Sequence, residues 1–260
     1  TLSVNREAMM KAFKPDSEIS SNTTATTSVD LATAKSIVEK SGVSSYLFTT
    51  TRTANARDGI SAISTSSSSD DSSDNASQNG NQPENHGGMM TSGDFTITGV
   101  NTTDNVSDFT SGKSTISKGD GITSETADNC ALISSDLASE NSLSGDTFTV
   151  TTTVDSTETS YIVTVIGIYD NSSTATTAQM MSNASNPQNN IYTRLTTTNT
   201  IKGEKDKLDS AVYALSNPEK IDNFVKEVKS EIDTDTYFVT SNDEIYEQML
   251  SPLNNISSIA

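Results

Sequence analysis

The fold is decided by residues 145–169, which read Gly-Asp-Thr-Phe-Thr-Val-Thr-Thr-Thr-Val-Asp-Ser-Thr-Glu-Thr-Ser-Tyr-Ile-Val-Thr-Val-Ile-Gly-Ile-Tyr. Phe148 and Val150 alternate with threonines, which is typical of a strand buried on one face. Residues 161–168 are apolar at positions that point to both faces, which predicts a central strand covered on both sides. The polar residues 154–159 between them suit a loop. The sequence therefore predicts an antiparallel β-hairpin at the heart of a sheet.

The rest of the chain is poor in apolar residues and acidic. Of its 260 residues 32% are hydrophobic, and 34 acidic residues face 16 basic ones, for a net charge of -18. This balance argues against binding nucleic acid, because phosphate contacts need clustered Lys and Arg. The chain has no run of about 18 apolar residues, so we expect no membrane-spanning segment within it. It begins without Met and ends abruptly, so we expect a piece of a longer protein.

The first 52 residues predict two helices followed by a strand. Residues 2–13 and 31–38 carry apolar residues at helical spacing, and Gly42 stands where a helix-ending glycine belongs. Residues 43–52 then predict a strand.

The last third predicts a β-α-β unit between residues 208 and 240. Asn217 and Pro218 form a helix start, and the apolar stripe that follows reaches residue 232. The flanking strands, 208–215 and 236–240, could be parallel. Ser241 and Glu244 form a capping box that predicts a final helix to residue 259.

The middle of the chain predicts mostly strands. Residues 64–92 are a serine-rich, low-complexity tract, which we expect to be a flexible surface loop. The elements predicted after it are strands at 95–100, 130–133 and 190–195, short helices at 106–109 and 135–143, a turn-rich segment at 114–121 and a loop at 171–189.

Residues for catalysis or metal binding are scarce. His86, the one histidine, lies in the low-complexity tract, and Cys130, the one cysteine, lies in an apolar strand. One histidine and one cysteine supply neither a nucleophile with its base nor a zinc ligand set. Asp70, Asp71 and Asp74 lack the spacing of an EF-hand, so incidental solvated charge is favoured over a calcium site. We predict no catalytic, cofactor-binding or metal-binding residues, and a glycan-active enzyme remains the minority hypothesis.

Six short segments, in order, resemble the extracytoplasmic domain of MacB-like ABC transporter permeases. They are Phe95–Asn101, Gly112–Gly119, Cys130–Phe148, Tyr161–Tyr169, Asn190–Tyr192 and Asn217–Asp222. The serine-rich tract departs from the family pattern and is interpreted as an insertion.

The resemblance implies an α+β fold of two lobes. A discontinuous, porter-like βαβ lobe would comprise residues 1–93 and 204–260, and an inserted, β-rich, sabre-like lobe would comprise residues 94–203. It also implies that the domain is non-enzymatic, lies on the extracellular face of the cell membrane between two membrane helices, and has no nucleotide motif of its own because ATP is hydrolysed elsewhere.

The partners implied are a second permease copy, a cytoplasmic ATPase subunit or domain, and a membrane-fusion-type accessory protein. The implied function is to relay ATP-driven conformational change to the export of peptides, antibiotics or lipids. Two alternatives stay open from the sequence. The Ser, Thr and Asn richness also suits a cell-surface adhesin or stalk, and FtsX-type regulators of cell-wall hydrolases have related domains.

Overall fold

The computed structural model describes residues 2–5, 28–64, 93–173, 182–234, 237 and 239–241. These residues form the predicted α+β fold, in which one mixed sheet carries short helices. The strands are β1 (Leu2–Asn5), β2 (Val29–Asp30), β3 (Val43–Ala56), β4 (Phe95–Val100), β5 (Ser114–Gly119), β6 (Cys130–Ser134), β7 (Thr147–Val154), β8 (Thr157–Asn171), β9 (Asn190–Arg194), β10 (Lys207–Leu208), β11 (Ser210–Leu215) and β12 (Val239–Ser241). The helices are α1 (Leu31–Val38), α2 (Ser107–Thr110), α3 (Ser135–Glu140), α4 (Leu195–Lys202) and α5 (Ile221–Glu231).

The main sheet runs in the order β12-β1-β11-β3-β4-β9-β6-β8-β5, and β7 pairs with both β3 and β8. Strands β2 and β10 form a separate two-stranded ribbon. Strand β3 is 14 residues long and pairs with β11, β4 and β7. It therefore connects the strands from the two ends of the chain with those from its middle.

The central hairpin is confirmed as the β7–β8 pair. Its register runs from Thr147 opposite Thr164 to Val154 opposite Thr157. The turn is shorter than predicted, because Asp155 and Ser156 alone form it with φ of 48° and 64°. Two residues with positive φ match the twist of the strands that they join.

Strand β8 is covered on one face only at residues 162 and 163, so the prediction of a strand covered on both sides is wrong there. Towards its end the prediction holds, because Ile168 packs against one core cluster, and Ile166 and the buried Tyr169 against another. Val163 and Val165 are buried, whereas Ile162 on the opposite face is 65% exposed. The pairing with β6 skips Ile166, which is half-buried. The apolar side chain of Ile162 was the basis for predicting a covered second face, but an apolar residue can also lie on the surface.

The N-terminal helix predicted at residues 2–13 is wrong at its start. Leu2–Asn5 is strand β1, which lies between β11 and β12 and is antiparallel to both. The remainder of that prediction lies outside the described residues. The local spacing of apolar residues predicts a helix. The segment is a strand because it pairs with β11 and β12, which lie more than 200 residues away in the sequence.

The predicted β-α-β unit is present as β11, α5 and β12. Both strands are antiparallel to β1, so they are parallel to each other with β1 inserted between them. Helix α5 buries the predicted stripe of Ile221, Phe224, Val225 and Val228. The final helix predicted from residue 241 to residue 259 lies outside the described residues, apart from Ser241, which ends β12.

Two further expectations need correction. The turn-rich segment 114–121 contains edge strand β5, which pairs with β8 and is exposed at most positions, so it lacks the apolar alternation that would have predicted it. Residues 195–202 were assigned no helix and form α4. Helices α1, α2 and α3 are confirmed within a few residues of their predicted bounds.

Three hydrophobic clusters form the core. One lies among α1, α5 and the strands near the chain ends and includes Phe48 and Tyr213. The other two lie in the middle of the chain and include Phe148 and Tyr169. The division into lobes at residues 94 and 203 stays a prediction. No helix in the described part of the chain is both long and apolar enough to cross a bilayer.

Candidate functional site at helix α4

Residues suited to catalysis or metal binding are not brought together in the part of the chain that the structure describes. No group of three or more His, Cys, Asp or Glu side chains there could hold a metal ion. Cys130 is half-buried at the start of β6, less buried than its apolar strand predicted. Burial and then the charge of Asp128 raise the pKa of its thiol, which keeps it protonated. His86, Asp70, Asp71 and Asp74 lie outside the described residues.

Helix α4 is instead the place where the different parts of the fold meet. It begins directly after β9 and ends at Gly203, whose φ is 76°. The helix lies so close to β4 that a Cβ atom on Gly99 would stand 2.7 Å from Thr198 Oγ1. Thr198 also shares a 2.6 Å hydrogen bond with Thr193 of β9. Small side chains thus let α4 approach the sheet closely.

Polar side chains of α4 hold the strand and ribbon beside it. The amide of Asn199 accepts a hydrogen bond from Thr50 Oγ1 at 3.2 Å and donates one to the carbonyl of Lys207 at 2.9 Å. Asn199 is buried, so these bonds satisfy groups that water cannot reach. One side chain of α4 therefore links β3 to β10.

Lys202 makes the second link, to Asp209 between β10 and β11. Its Nζ lies 2.6 Å from Asp209 Oδ1, and the two side chains are 8% and 19% exposed. The other carboxylate oxygen of Asp209 accepts hydrogen bonds from Thr51 N at 2.7 Å and from Thr51 Oγ1 at 2.8 Å. Lys202, Asp209 and Thr51, which we call the α4 clamp, join α4, β3 and the β10–β11 junction through one carboxylate.

The electrostatics of the α4 clamp favour the ionised carboxylate. Burial by itself raises the pKa of Asp209, but the hydrogen bond and charge of Lys202 and the two donors of Thr51 outweigh it. The net result is an Asp209 pKa below its ordinary value. The Asp209 carboxylate is therefore ionised at neutral pH and accepts hydrogen bonds on both of its oxygens.

The central hairpin, β7–β8, contacts helix α4 and strand β3. Arg52, next to Thr51, donates from Nε to Thr152 Oγ1 at 3.0 Å and from Nη2 to the carbonyl of Thr153. Tyr161 Oη donates to the carbonyl of Thr200 at 3.2 Å. The tip of the hairpin packs on the end of α4, where a Cβ on Gly203 would lie 2.6 Å from Val154.

These contacts form a continuous connection from β11 through the α4 clamp to the tip of the hairpin. It combines two part-buried hydrogen bonds, Arg52 to Thr152 and Lys202 to Asp209, with exposed ones and with the close packing of Gly203 on Val154. Close packing resists sliding of one element past another. The arrangement supplies no nucleophile with a base. What it does is hold β3, the β10–β11 junction and the hairpin in fixed positions around α4.

The sequence analysis missed α4 and its residues Asn199 and Lys202. The helix reads Leu-Thr-Thr-Thr-Asn-Thr-Ile-Lys, and its threonines and asparagine are weak helix formers. One signal could have found it, because Lys202 followed by Gly203 is typical of a helix C-terminus.

Comparison with known proteins gives similarity in both sequence and structure. No known protein-family profile matches the chain. The chain is 35% identical over 267 aligned residues, and along its entire length, to the uncharacterized ABC transporter permease YclI of Bacillus subtilis. It spans about half of that relative, 54% of its length.

Two solved structures are similar in fold. The periplasmic region of MacB from Actinobacillus actinomycetemcomitans has a TM-score of 0.55 at 9% identity, with 95% of this chain and 91% of that one covered. The extracellular domain of the noncanonic ABC-type transporter YknZ from Gram-positive bacteria has a TM-score of 0.49 at 14% identity, with 82% and 90% covered. The resemblance indicated by the six sequence segments is confirmed, and the fold is that of the MacB periplasmic region.

Proposed function

We propose that this chain is the extracellular domain of an ABC transporter permease, held at the outer face of the cell membrane by membrane-spanning segments of its parent protein. The observation that carries the proposal is the 35% identity to an ABC transporter permease along the whole chain. The shared fold with the MacB periplasmic region supports it.

The position of the outermost strands supports attachment to one membrane at two points. Leu2 lies opposite Ser241 in the pairing of β1 with β12. The polypeptide therefore enters the sheet at Leu2 and leaves it at Ser241 on the same side of the molecule. Two segments that continue from these points can enter one bilayer together.

The domain performs no bond-making in this proposal and relays movement. The two lobes, residues 1–93 with 204–260 and residues 94–203, move as units when the parent transporter hydrolyses ATP in its cytoplasmic part. Helix α4 and Asp209 connect the strands near the attachment points with the central hairpin. A displacement of β11 is thereby passed to the hairpin.

The proposed partners are a second copy of the permease, a cytoplasmic ATPase subunit or domain, and a membrane-fusion-type accessory protein. The proposed cargo is peptides, antibiotics or lipids. A nucleic-acid partner is not proposed, because the net charge of -18 opposes phosphate binding.

The test uses the parent gene expressed in its own cell. Cys130→Ser removes the native thiol, and Ser139→Cys places a new one at an exposed position of α3. We expect a membrane-impermeant maleimide to label intact cells carrying this variant, and the ATPase to copurify with the parent protein. A cysteine introduced into the ATPase is the control and should be labelled only after lysis.

Three results would count against the proposal. One is a parent sequence with no apolar segment of about 20 residues before Thr1 or after Ala260. The second is a downstream cell-wall sorting signal, which would favour the adhesin alternative. The third is turnover of a polysaccharide by the purified chain, which would favour the enzyme alternative.

A further inference from the structure

A cleft of about 270 Å³ lies between α1 and the first turn of α4. Its lining comes from α1, β3, the end of β4, the loop at residues 123–124 and the junction of β9 with α4. The apolar and aromatic residues that line it are Leu31, Tyr46, Phe48, Val100 and Leu195. The rings of Tyr46 and Phe48 lie 4.8 Å apart at 45°. Phe48 and Val100 are each 1% exposed, so the apolar surface open to a ligand is that of the half-buried Leu31, Tyr46 and Leu195.

The size of the cleft indicates what it can hold. Sites for drug-sized molecules enclose about 300–1,000 Å³. At about 270 Å³ this cleft is below that range and has the volume of one or two side chains. A single apolar or aromatic side chain in a matching pocket is the usual anchor of a protein–protein contact.

Two cations line the same cleft in a chain that is otherwise strongly acidic. Lys35 of α1 is exposed, and among the described residues it has no ion pair. Arg194 has one, to Asp128 at 3.3 Å, and Asp128 is 60% exposed. A guanidinium has five N–H donors, so Arg194 keeps donors for a second carboxylate.

We propose that this cleft binds a peptide segment of a partner protein in which a carboxylate stands next to an apolar side chain. The apolar side chain lies against Leu31, Tyr46 and Leu195, and the carboxylate lies between Lys35 and Arg194. The net charge of -18 repels acidic partners elsewhere on the surface, so the two cations direct the segment to this cleft. This inference goes beyond the transport role and does not depend on it.

The test titrates the isotope-labelled 260-residue chain with two matched probes while amide chemical shifts are recorded. N-acetyl-phenylalanine carries the carboxylate, and N-acetyl-phenylalanine amide has the same side chain without the charge. We expect saturable shifts at Val100, Ser124 and Leu195 with the acid, and at least five-fold weaker binding of the amide. Equal binding of the two probes, shifts elsewhere or no binding would overturn the proposal.

Variants distinguish the cleft from general charge effects. Lys35→Gln with Arg194→Gln should abolish the preference for the acid, whereas Lys226→Gln, an exposed lysine of α5, should leave it unchanged. Ser124→Trp fills the mouth of the cleft without touching either cation and should reduce the binding of both probes. Unchanged binding in these variants would contradict the proposal. Tighter binding of decanoate than of an acidic peptide would show that the cleft prefers an anionic lipid, and it would overturn the peptide proposal.

Discussion

Lys202 Nζ lies 2.6 Å from Asp209 Oδ1, and both side chains are largely buried. The pair joins helix α4 to the bend between β10 and β11. Asp209 in turn accepts two hydrogen bonds from Thr51, so the carboxylate holds this bend, α4 and β3 in fixed positions. The stability of the domain should therefore depend on this one acidic residue more than on any exposed one.

We expect Asp209→Asn to lower the free energy of unfolding by about 2–3 kcal/mol, because it leaves the ammonium of Lys202 buried with Glu204 alone beside it. Urea unfolding followed by circular dichroism measures the change. Asp222→Asn is the matched control. Asp222 is an exposed residue of α5, so its substitution should lower the free energy of unfolding by less than about 0.5 kcal/mol. Equal losses in the two variants would contradict the role of the clamp.

The same carboxylate predicts a pH dependence. The pKa of Asp209 is lowered in the folded state, so the unfolded state binds the proton more tightly and stability rises with pH. The contribution is fully present above the ordinary aspartate pKa of about 3.9 and is lost as the pH falls through the folded-state value. Urea unfolding at several pH values between 2.5 and 7 should give a difference between wild type and Asp209→Asn that shrinks below pH 4. A constant difference would argue against an ionised Asp209.

The one-sided burial of β8 at residues 162 and 163 predicts opposite effects at these two neighbouring positions. Val163 is 1% exposed, so Val163→Asp buries an unpaired charge and should cost at least about 3 kcal/mol or prevent folding. Ile162 is 65% exposed, so Ile162→Asp should change stability by no more than about 0.5 kcal/mol. Thermal unfolding of both variants checks this. Similar melting temperatures would mean that the faces of the strand are assigned wrongly.

The close approach of α4 to β4 predicts that Gly99→Ala is destabilising. The added methyl group would meet Thr198 Cβ at 2.8 Å and Thr50 Cγ2 at 2.9 Å, and both threonines are buried. Overpacking of this kind costs about 1–3 kcal/mol. Urea unfolding measures the loss, and a variant as stable as wild type would show that α4 lies farther from the sheet.

Elements with a strong local pattern could be predicted from the sequence. The hairpin alternates, α5 has its stripe of Ile221, Phe224, Val225 and Val228, and α1 ends before Gly42, and each pattern reflects the period of one strand or helix. The α4 clamp could not be predicted, because nothing in the local sequence relates Thr51 to Lys202 or Asp209. Helix α4 consists largely of residues with low helix propensity. It is stabilised by packing against the sheet at Gly99 rather than by its own sequence.

The sequence by itself determined the acidic charge, the scarcity of catalytic residues, the α+β class and the local elements with regular periods. Only the tertiary structure decided that Leu2–Asn5 is a strand between β11 and β12, that Ile162 faces solvent and that Asp209 meets Lys202. The physical reason is that strand pairing and burial depend on residues far apart in the chain. Such contacts leave no periodic trace in the segments that make them.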